Sequence, residues 1–240
     1  KRSLTEALNN AAKAGSADGT TADNDDESAE ERQPEKVNLD NSNGLYSIRN
    51  TADALSLNQL IGYEAEANEI ISFCRRVDFV LPSQERDGVQ SDSARNPVVI
   101  ILYGPPGTGK TTIAQSVAKY LDFVYMYVNA ENVTSQWSGV TEKNIAKLFR
   151  RARIASFRYA HSPARPRQVL MLIDEIDGLI KNRATAANLS GEEYGRITTF
   201  LQMLTPPIGT NNSNIVAIFT TNRLENLDAA VVNRARGRIF

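Results

Sequence analysis

Four apolar runs of strand length constrain the fold of this chain more than any other feature: VVIILY at 98–103, FVYMYV at 123–128, QVLMLI at 168–173 and NIVAIF at 214–219. None alternates apolar with polar residues as a strand wetted on one face does, so each is expected to be covered on both sides. Amphipathic helices are predicted between them. TTIAQSVAKYL carries Ile113, Val117, Ala118 and Leu121 on one face, and EKNIAKLFRRARIASF carries Ile145, Leu148, Phe149 and Ala152. Apolar strands alternating with such helices predict an α/β fold of three αβα layers around a central parallel sheet.

The flanks read differently. Residues 1–50 are rich in Ala, Ser, Asn and acidic side chains, with DNDDESAEE at 23–31. Such a segment buries too little apolar surface to offset its ordering entropy, so it is predicted to be a disordered acidic arm or linker, with a short helical pattern at 3–14. Residues 51–95 form a lead-in: an amphipathic helix carrying Ile70, Ile71, Phe73, Cys74 and Val77, then the polar stretch PSQERDGVQSDSARNP, which runs to 97. The αβα domain is assigned to 96–240. The chain begins at Lys1 rather than Met and stops at Phe240 within an unfinished motif, so it is read as a fragment or processed chain.

Several function classes drop out. The longest apolar run is far too short to span a bilayer, and no transmembrane segment is expected. A formal net charge of −1 provides no global basic field for nucleic acid. The single cysteine, Cys74, excludes an intrachain disulfide and a cysteine-based zinc site, and suits an intracellular, reducing compartment, whether cytoplasm, nucleus or organelle matrix. His161 is equally alone, which excludes catalytic triads and histidine metal clusters.

What remains is nucleotide chemistry. GPPGTGKT, Gly104 to Thr111, fits G-x-x-x-x-G-K-[ST] and stands where that motif must, after an apolar strand and before an amphipathic helix. Gly104, Gly107 and Gly109 allow the backbone to wrap phosphates, with Pro105, Pro106 and Thr108 completing the loop. The helix N-terminus, with Thr112 in its first turn, supplies unpaired N–H groups. Lys110 would reach the β and γ phosphates of ATP, and Thr111 the Mg²⁺. The third apolar run ends in DEID. Asp174 would hold Mg²⁺, largely through water, and Glu175 would polarise the attacking water. The fourth run ends in TTNR, where Asn222 can hydrogen-bond the lytic water or the γ-phosphate. By themselves, acids at a helix start or an Asn in a turn are ordinary structural features; the phosphate-loop motif upstream is what gives them a role.

With these residues in place, the chain resembles the AAA family of ATPases within the AAA+ superclass, from about Ser56 to Phe240. GPPGTGKT matches the family's phosphate loop, LMLIDEID its magnesium and catalytic strand, and IFTTNR its first sensor. The resemblance implies a P-loop NTPase fold, the AAA+ large subdomain, with a C-terminal helical lid that would begin beyond Phe240. In LNQLIGYE it implies that Ile61 and Gly62 lie near the adenine. In YVNAEN it implies that Asn129 restrains the catalytic glutamate. In LDAAVVNRARGRIF it implies that Arg234 is an arginine finger reaching a neighbouring subunit's ATP, with Arg236 and Arg238 in reserve. Many relatives, katanin and spastin among them, carry two consecutive arginines where this chain has Asn233-Arg234, and single-finger forms occur in the meiotic HORMA-domain remodeller and in a mitochondrial membrane-associated branch, so the subfamily stays open. NRATAANLSGEEYGR, 182–196, looks like the second pore-facing loop.

A finger acting in trans implies a homo- or hetero-hexameric ring, with a protein substrate and an adaptor as partners. The cofactors implied are ATP and Mg²⁺. The activity expected is ATP hydrolysis driving protein remodelling, and it is expected to require the lid and the ring. A clamp-loader or initiator type acting on nucleic acid, and a non-hydrolysing ATP-gated scaffold, are the alternatives. The basic residues between Lys143 and Arg167 are read mainly as a solvated helix face, with one or two pairing across a subunit interface.

The only tryptophan, Trp137 in TSQWSG, belongs by default in a core. In the family, however, an aromatic residue at this position with a glycine two residues on forms the first pore loop, here Trp137, Ser138 and Gly139. Ser138 replaces the usual hydrophobic neighbour. The resemblance therefore implies that Trp137 is exposed in an isolated subunit and grips an unfolded chain in a ring.

Overall fold

A computed structural model describes residues 44–75, 95–134, 139–162, 166–183, 190–207 and 209–240. Residues 1–43 of the expected arm with its helical pattern at 3–14, Val77, most of the polar stretch before residue 95, Trp137 with Ser138, and residues 184–189 of the expected second pore loop lie outside the described residues. The elements in chain order are β1 Ser47–Arg49, α1 Glu64–Arg75, β2 Val98–Tyr103, α2 Lys110–Tyr120, β3 Val124–Asn129 and α3 Ala130–Val133. They continue with α4 Val140–Arg158, β4 Val169–Asp174, α5 Gly191–Leu204, β5 Ile215–Thr221, α6 Ala229–Val232 and β6 Gly237–Ile239.

One sheet orders its six strands β1-β3-β4-β5-β2-β6. All neighbours are parallel except β1, which pairs antiparallel with β3. The four continuous apolar runs are the four central strands. They are buried because helices cover both faces, which is the condition a parallel sheet needs. Alternate side chains go to opposite layers. Ile100, Leu102, Leu170, Leu172, Val216 and Ile218 pack against Ile70 and Ile71 of α1 and Ile113 and Val117 of α2. Ile101, Met171, Ile173 and Phe219 pack against Ile145, Leu148 and Phe149 of α4 and Phe200 of α5. The resulting architecture is the expected three-layer αβα sandwich, with the sheet mixed at one edge rather than wholly parallel.

Two short edge strands depart from the expectation. Ser47–Arg49 falls inside the segment read as an arm ending at residue 50, yet Ser47, Ile48 and Arg49 pair with Tyr127, Met126 and Tyr125, and Leu45 and Tyr46 are buried. At the other edge, Gly237, Arg238 and Ile239 pair with Ile100, Ile101 and Leu102. Neither segment has an apolar run of its own, and the sheet beside it supplies the hydrogen bonds. α5 starts on a capping box, with the Ser190 hydroxyl and the Glu193 carboxylate exchanging hydrogen bonds with each other's backbone N–H. Among the described residues no helix is long and apolar enough to cross a membrane.

Candidate functional site

In an open α/β sheet, ligands bind beyond the carboxyl ends of the strands. Here β5 lies between β4 and β2, so the segments following these three strands meet in one crevice. That crevice, of about 350 Å³, is lined by residues 106–112, Asp174 and Glu175, and Thr220 to Asn222. The structure thus brings together the phosphate loop, the acidic pair and the sensor asparagine that the sequence marked separately.

The phosphate loop owes its path to glycines in conformations other residues avoid, with φ of 143° at Gly104, 81° at Gly107 and 76° at Gly109. Gly104 N–H donates to Thr221 O at 3.3 Å, tying the loop to the end of β5. Lys110 opens α2, and its Nζ donates to Gly104 O and Pro105 O at 2.8 Å each and to Asn222 Oδ1 at 3.4 Å. Desolvation lowers the Lys110 pKa from the ordinary lysine value, opposed by the negative charge of Asp174. Thr108 Oγ1 closes the loop by donating to Pro105 O. Pro106 and Thr112 line the same crevice.

Asp174 ends β4 and draws donors from several elements. Thr111 Oγ1 of α2 stands 3.5 and 3.4 Å from its two oxygens. The Thr220 hydroxyl of β5 donates to Oδ1, and the Tyr127 hydroxyl of β3 donates to Oδ2 at 3.2 Å. Burial first, then the charge and hydrogen bond of Asp174, raise the Tyr127 hydroxyl above its ordinary value, so it is a protonated donor at neutral pH. Arg49 lies over the Tyr127 ring, 3.6 Å from its centroid. The next residue, Glu175, adopts a left-handed conformation with φ 56° and ψ 48°, rare for a residue other than Gly, Asn or Asp and characteristic of functional sites. Its N–H donates to Thr220 Oγ1 at 3.0 Å, so one hydroxyl holds both members of the acidic pair. The side chain of Glu175 is exposed toward the crevice.

The remaining expected residues are distributed as follows. Asn129 is the register partner of Asp174, and its side-chain oxygen accepts the Glu131 N–H at the start of α3. Gly139 precedes α4 with φ 72°. Ile61, 86 % exposed, and Gly62 sit in the turn before α1. A second, largely apolar cavity of about 220 Å³ adjoins the phosphate loop and is lined by Tyr63, Glu66, Leu102, Tyr103 and Phe240 among others. Arg234 is exposed just beyond α6, its guanidinium donating to Ala230 O at 2.9 Å and Thr205 Oγ1 at 3.1 Å, and it does not line the crevice of its own chain. Arg238 is exposed on β6, and exposed Arg236 donates its backbone N–H to Val99 O.

Sequence reasoning missed Tyr127, Thr220 and a bidentate pair between Arg183 and Asp228. Arg183 Nε meets Asp228 Oδ2 at 2.6 Å, and Nη2 meets Oδ1 at 3.0 Å. The alternation within FVYMYV was the available signal for Tyr127, since it puts two phenol groups on one buried face, where a hydroxyl usually finds a partner. Thr220 and the ion pair are contacts between distant segments and left no local signal.

The donor set suits Mg²⁺-ATP. A threonine hydroxyl and one carboxylate are hard oxygen ligands, a lysine stands beside them, and a helix N-terminus opens onto the crevice. Magnesium is typically held by one or two carboxylates together with the phosphates, rather than by a protein cage. Among the described residues no group of three or more His, Cys, Asp or Glu forms such a cage.

This geometry defines a P-loop nucleotide site. Residues 100–240 match the family described as ATPase family associated with various cellular activities (AAA), and the chain belongs to that family. It is similar to Cell division protein C of Sulfolobus acidocaldarius, 34% identical over 145 residues, covering 59% of this chain and 36% of that protein. It is equally similar to Fidgetin-like protein 1 of Drosophila melanogaster, 34% over 141 residues, covering 59% and 24%. With the ATP-dependent zinc metalloprotease FtsH of Lachnoclostridium phytofermentans the identity is 32% over 161 residues, covering 67% and 25%. The matched segment thus spans about a third or less of the length of these curated relatives. In fold, it is similar to a chain of the E. coli MS115-1 HORMA:CdnC:Trip13 complex, with a TM-score of 0.58 and 21% identity, covering 76% of this chain and 64% of that one.

Proposed function

We propose that this chain is the large ATPase subdomain of a Mg²⁺-ATP-dependent, ring-forming protein remodeller, which unfolds or disassembles protein substrates through pore loops. The observation that carries the reading is the convergence of Lys110, Thr111, Asp174, Thr220 and Asn222 on one crevice, within the hydrogen bonds described above. Membership of the AAA family supports ATP hydrolysis, and the names ATP-dependent zinc metalloprotease FtsH and HORMA:CdnC:Trip13 complex favour a protein substrate.

In this reading the loop at 104–109 and Lys110 bind the phosphates, and Thr111 and Asp174 hold the metal. Magnesium, when bound, supplies charge neutralisation at the β and γ phosphates. Glu175 takes the proton of the attacking water, and Asn222 orients that water. Arg234 acts on the ATP of the neighbouring subunit, stabilising transition-state charge, a role that contributes about 10³ to 10⁵ in rate. Trp137, Ser138 and Gly139 form the first pore loop, and the second lies within residues 182–196. A hexamer, an adaptor, an N-terminal arm that serves as a linker, and an intracellular reducing compartment complete the proposal.

The test is turnover in the full-length parent carrying Glu175→Gln. Hydrolysis should fall by about 10² to 10⁴ while ATP binding persists. Unchanged turnover would remove the assigned mechanism. Salt-dependent DNA binding together with indifference to Trp137→Ala would move the protein to the nucleic-acid branch.

A further inference from the structure

Asp174 is held by more than the residues that belong to the phosphate crevice. Tyr127 lies on β3 and reaches Asp174 from the neighbouring strand, its hydroxyl donating to Oδ2 at 3.2 Å. On the other oxygen the Thr220 hydroxyl donates to Oδ1. A carboxylate oxygen accepts about two hydrogen bonds, so Tyr127 and Thr220 each occupy one site per oxygen. The remaining capacity faces Thr111, whose Oγ1 is nearly equidistant from both. Fixing both oxygens sets the rotation of the carboxylate plane, which is what a metal-holding carboxylate needs from its surroundings.

Tyr127 is in turn fixed from outside the family-matched region, which begins at residue 100. Arg49 of the antiparallel edge strand lays its guanidinium 3.6 Å from the Tyr127 ring centroid. Its Nε donates to Ser47 Oγ at 3.1 Å, which keeps the side chain along β1. β1 is held in register on β3 through Ser47–Tyr127 and Arg49–Tyr125, which places Arg49 diagonally across from Tyr127, within reach of its ring.

We propose that Tyr127 is a positioning residue for the metal-binding carboxylate of Asp174, and that Arg49 on the edge strand β1 holds Tyr127 in place. The inference rests on the assignment of Asp174 to Mg²⁺-ATP made above. It makes the short strand ahead of the ATPase core part of the metal site, although that strand touches neither phosphate loop nor crevice.

The experiment is calorimetric titration of ATP into this chain, once in EDTA and once in excess Mg²⁺, with the ratio of the two affinities as readout. Thermal melts confirm that each variant is folded. Tyr127→Phe keeps the ring and removes one hydroxyl. It should cut the Mg²⁺-dependent gain about tenfold, the low end for losing an outer partner of a metal ligand, and leave the affinity in EDTA unchanged. Arg49→Ala should cut the gain about two- to fivefold, as loss of an exposed cation–π contact does. In the Tyr127→Phe background Arg49→Ala should change nothing further, a non-additivity that a general loosening of the sheet would not produce. A normal gain in folded Tyr127→Phe overturns the proposal, as does a fully additive double variant. If Tyr127→Phe does not fold, an unaltered gain in Arg49→Ala overturns it instead. Absence of any Mg²⁺-dependent gain in the unaltered chain would overturn the underlying reading of the crevice, which separates the two failures.

Discussion

Replacing Arg183 by Met tests whether its bidentate ion pair with Asp228 is structural cement. Asp228 caps α6 through Ala230 N–H and its side chain is 3% exposed, while Arg183, 39% exposed, covers its outer side. Removing one partner of a fully buried pair costs about 3–5 kcal/mol, and of a fully exposed pair less than about 1 kcal/mol. With one partner buried and the other open to solvent, and with the Ala230 N–H retained, the expected loss is about 2 kcal/mol. For a body of this size that is a fall in Tm of roughly 4–8 °C. The pH dependence fixes the cause. Burial alone would push the Asp228 carboxyl up, but hydrogen bonding by Arg183 and by Ala230 N–H holds it below its ordinary value of 3.8. A folded value below the unfolded one gives stability that is complete above the ordinary aspartate value and is lost as pH falls through the folded value. Urea unfolding should therefore show the full difference between unaltered chain and Arg183→Met at pH 7, shrinking as pH drops toward and below the ordinary aspartate value. Adding Asp228→Asn to Arg183→Met should cost less than the sum of the single changes, since the two residues are in contact. A difference under about 0.5 kcal/mol at pH 7, the range of an ordinary surface substitution, or one that does not change with pH, would refute the reasoning.

Two further outcomes follow from close packing and burial. At Gly237 an added Cβ would lie 2.5 Å from the Phe73 ring, so Gly237→Ala should destabilise by about 1–3 kcal/mol in urea, and Phe73→Leu in the same chain should restore part of it. Burial pushes the Cys74 thiol up to about 12, so at pH 8 almost no thiolate is present and iodoacetamide should label the folded chain very slowly. In denaturing urea the same thiol should react at the rate of a free cysteine, and rapid labelling in the folded state would contradict its burial.

What was legible in the sequence follows from the range of the interactions involved. The apolar run at 98–103 is β2 residue for residue, and the runs at 123, 168 and 214 each begin one residue before their strands. A strand buried on both faces by helices must be apolar throughout, so its signal is written in its own residues. Ser47–Arg49 and Gly237–Ile239 have no such signal. They are strands because β3 and β2 present unpaired edges beside them, a fact that exists only once the sheet is assembled. The same division holds at the site. GPPGTGKT and DEID are local because a helix N-terminus and a strand end position their own side chains. Tyr63, two residues beyond Ile61, lines the apolar cavity beside the phosphate loop, a placement that depends on how the turn before α1 lies against distant strands. Thr220, which holds Asp174 with its hydroxyl and receives the N–H of Glu175, reads in sequence only as one more residue of a buried strand. Its hydroxyl becomes meaningful when strand order puts β5 next to β4, so the polar contacts that shape this site are set by topology, while its chemical groups are set by motif.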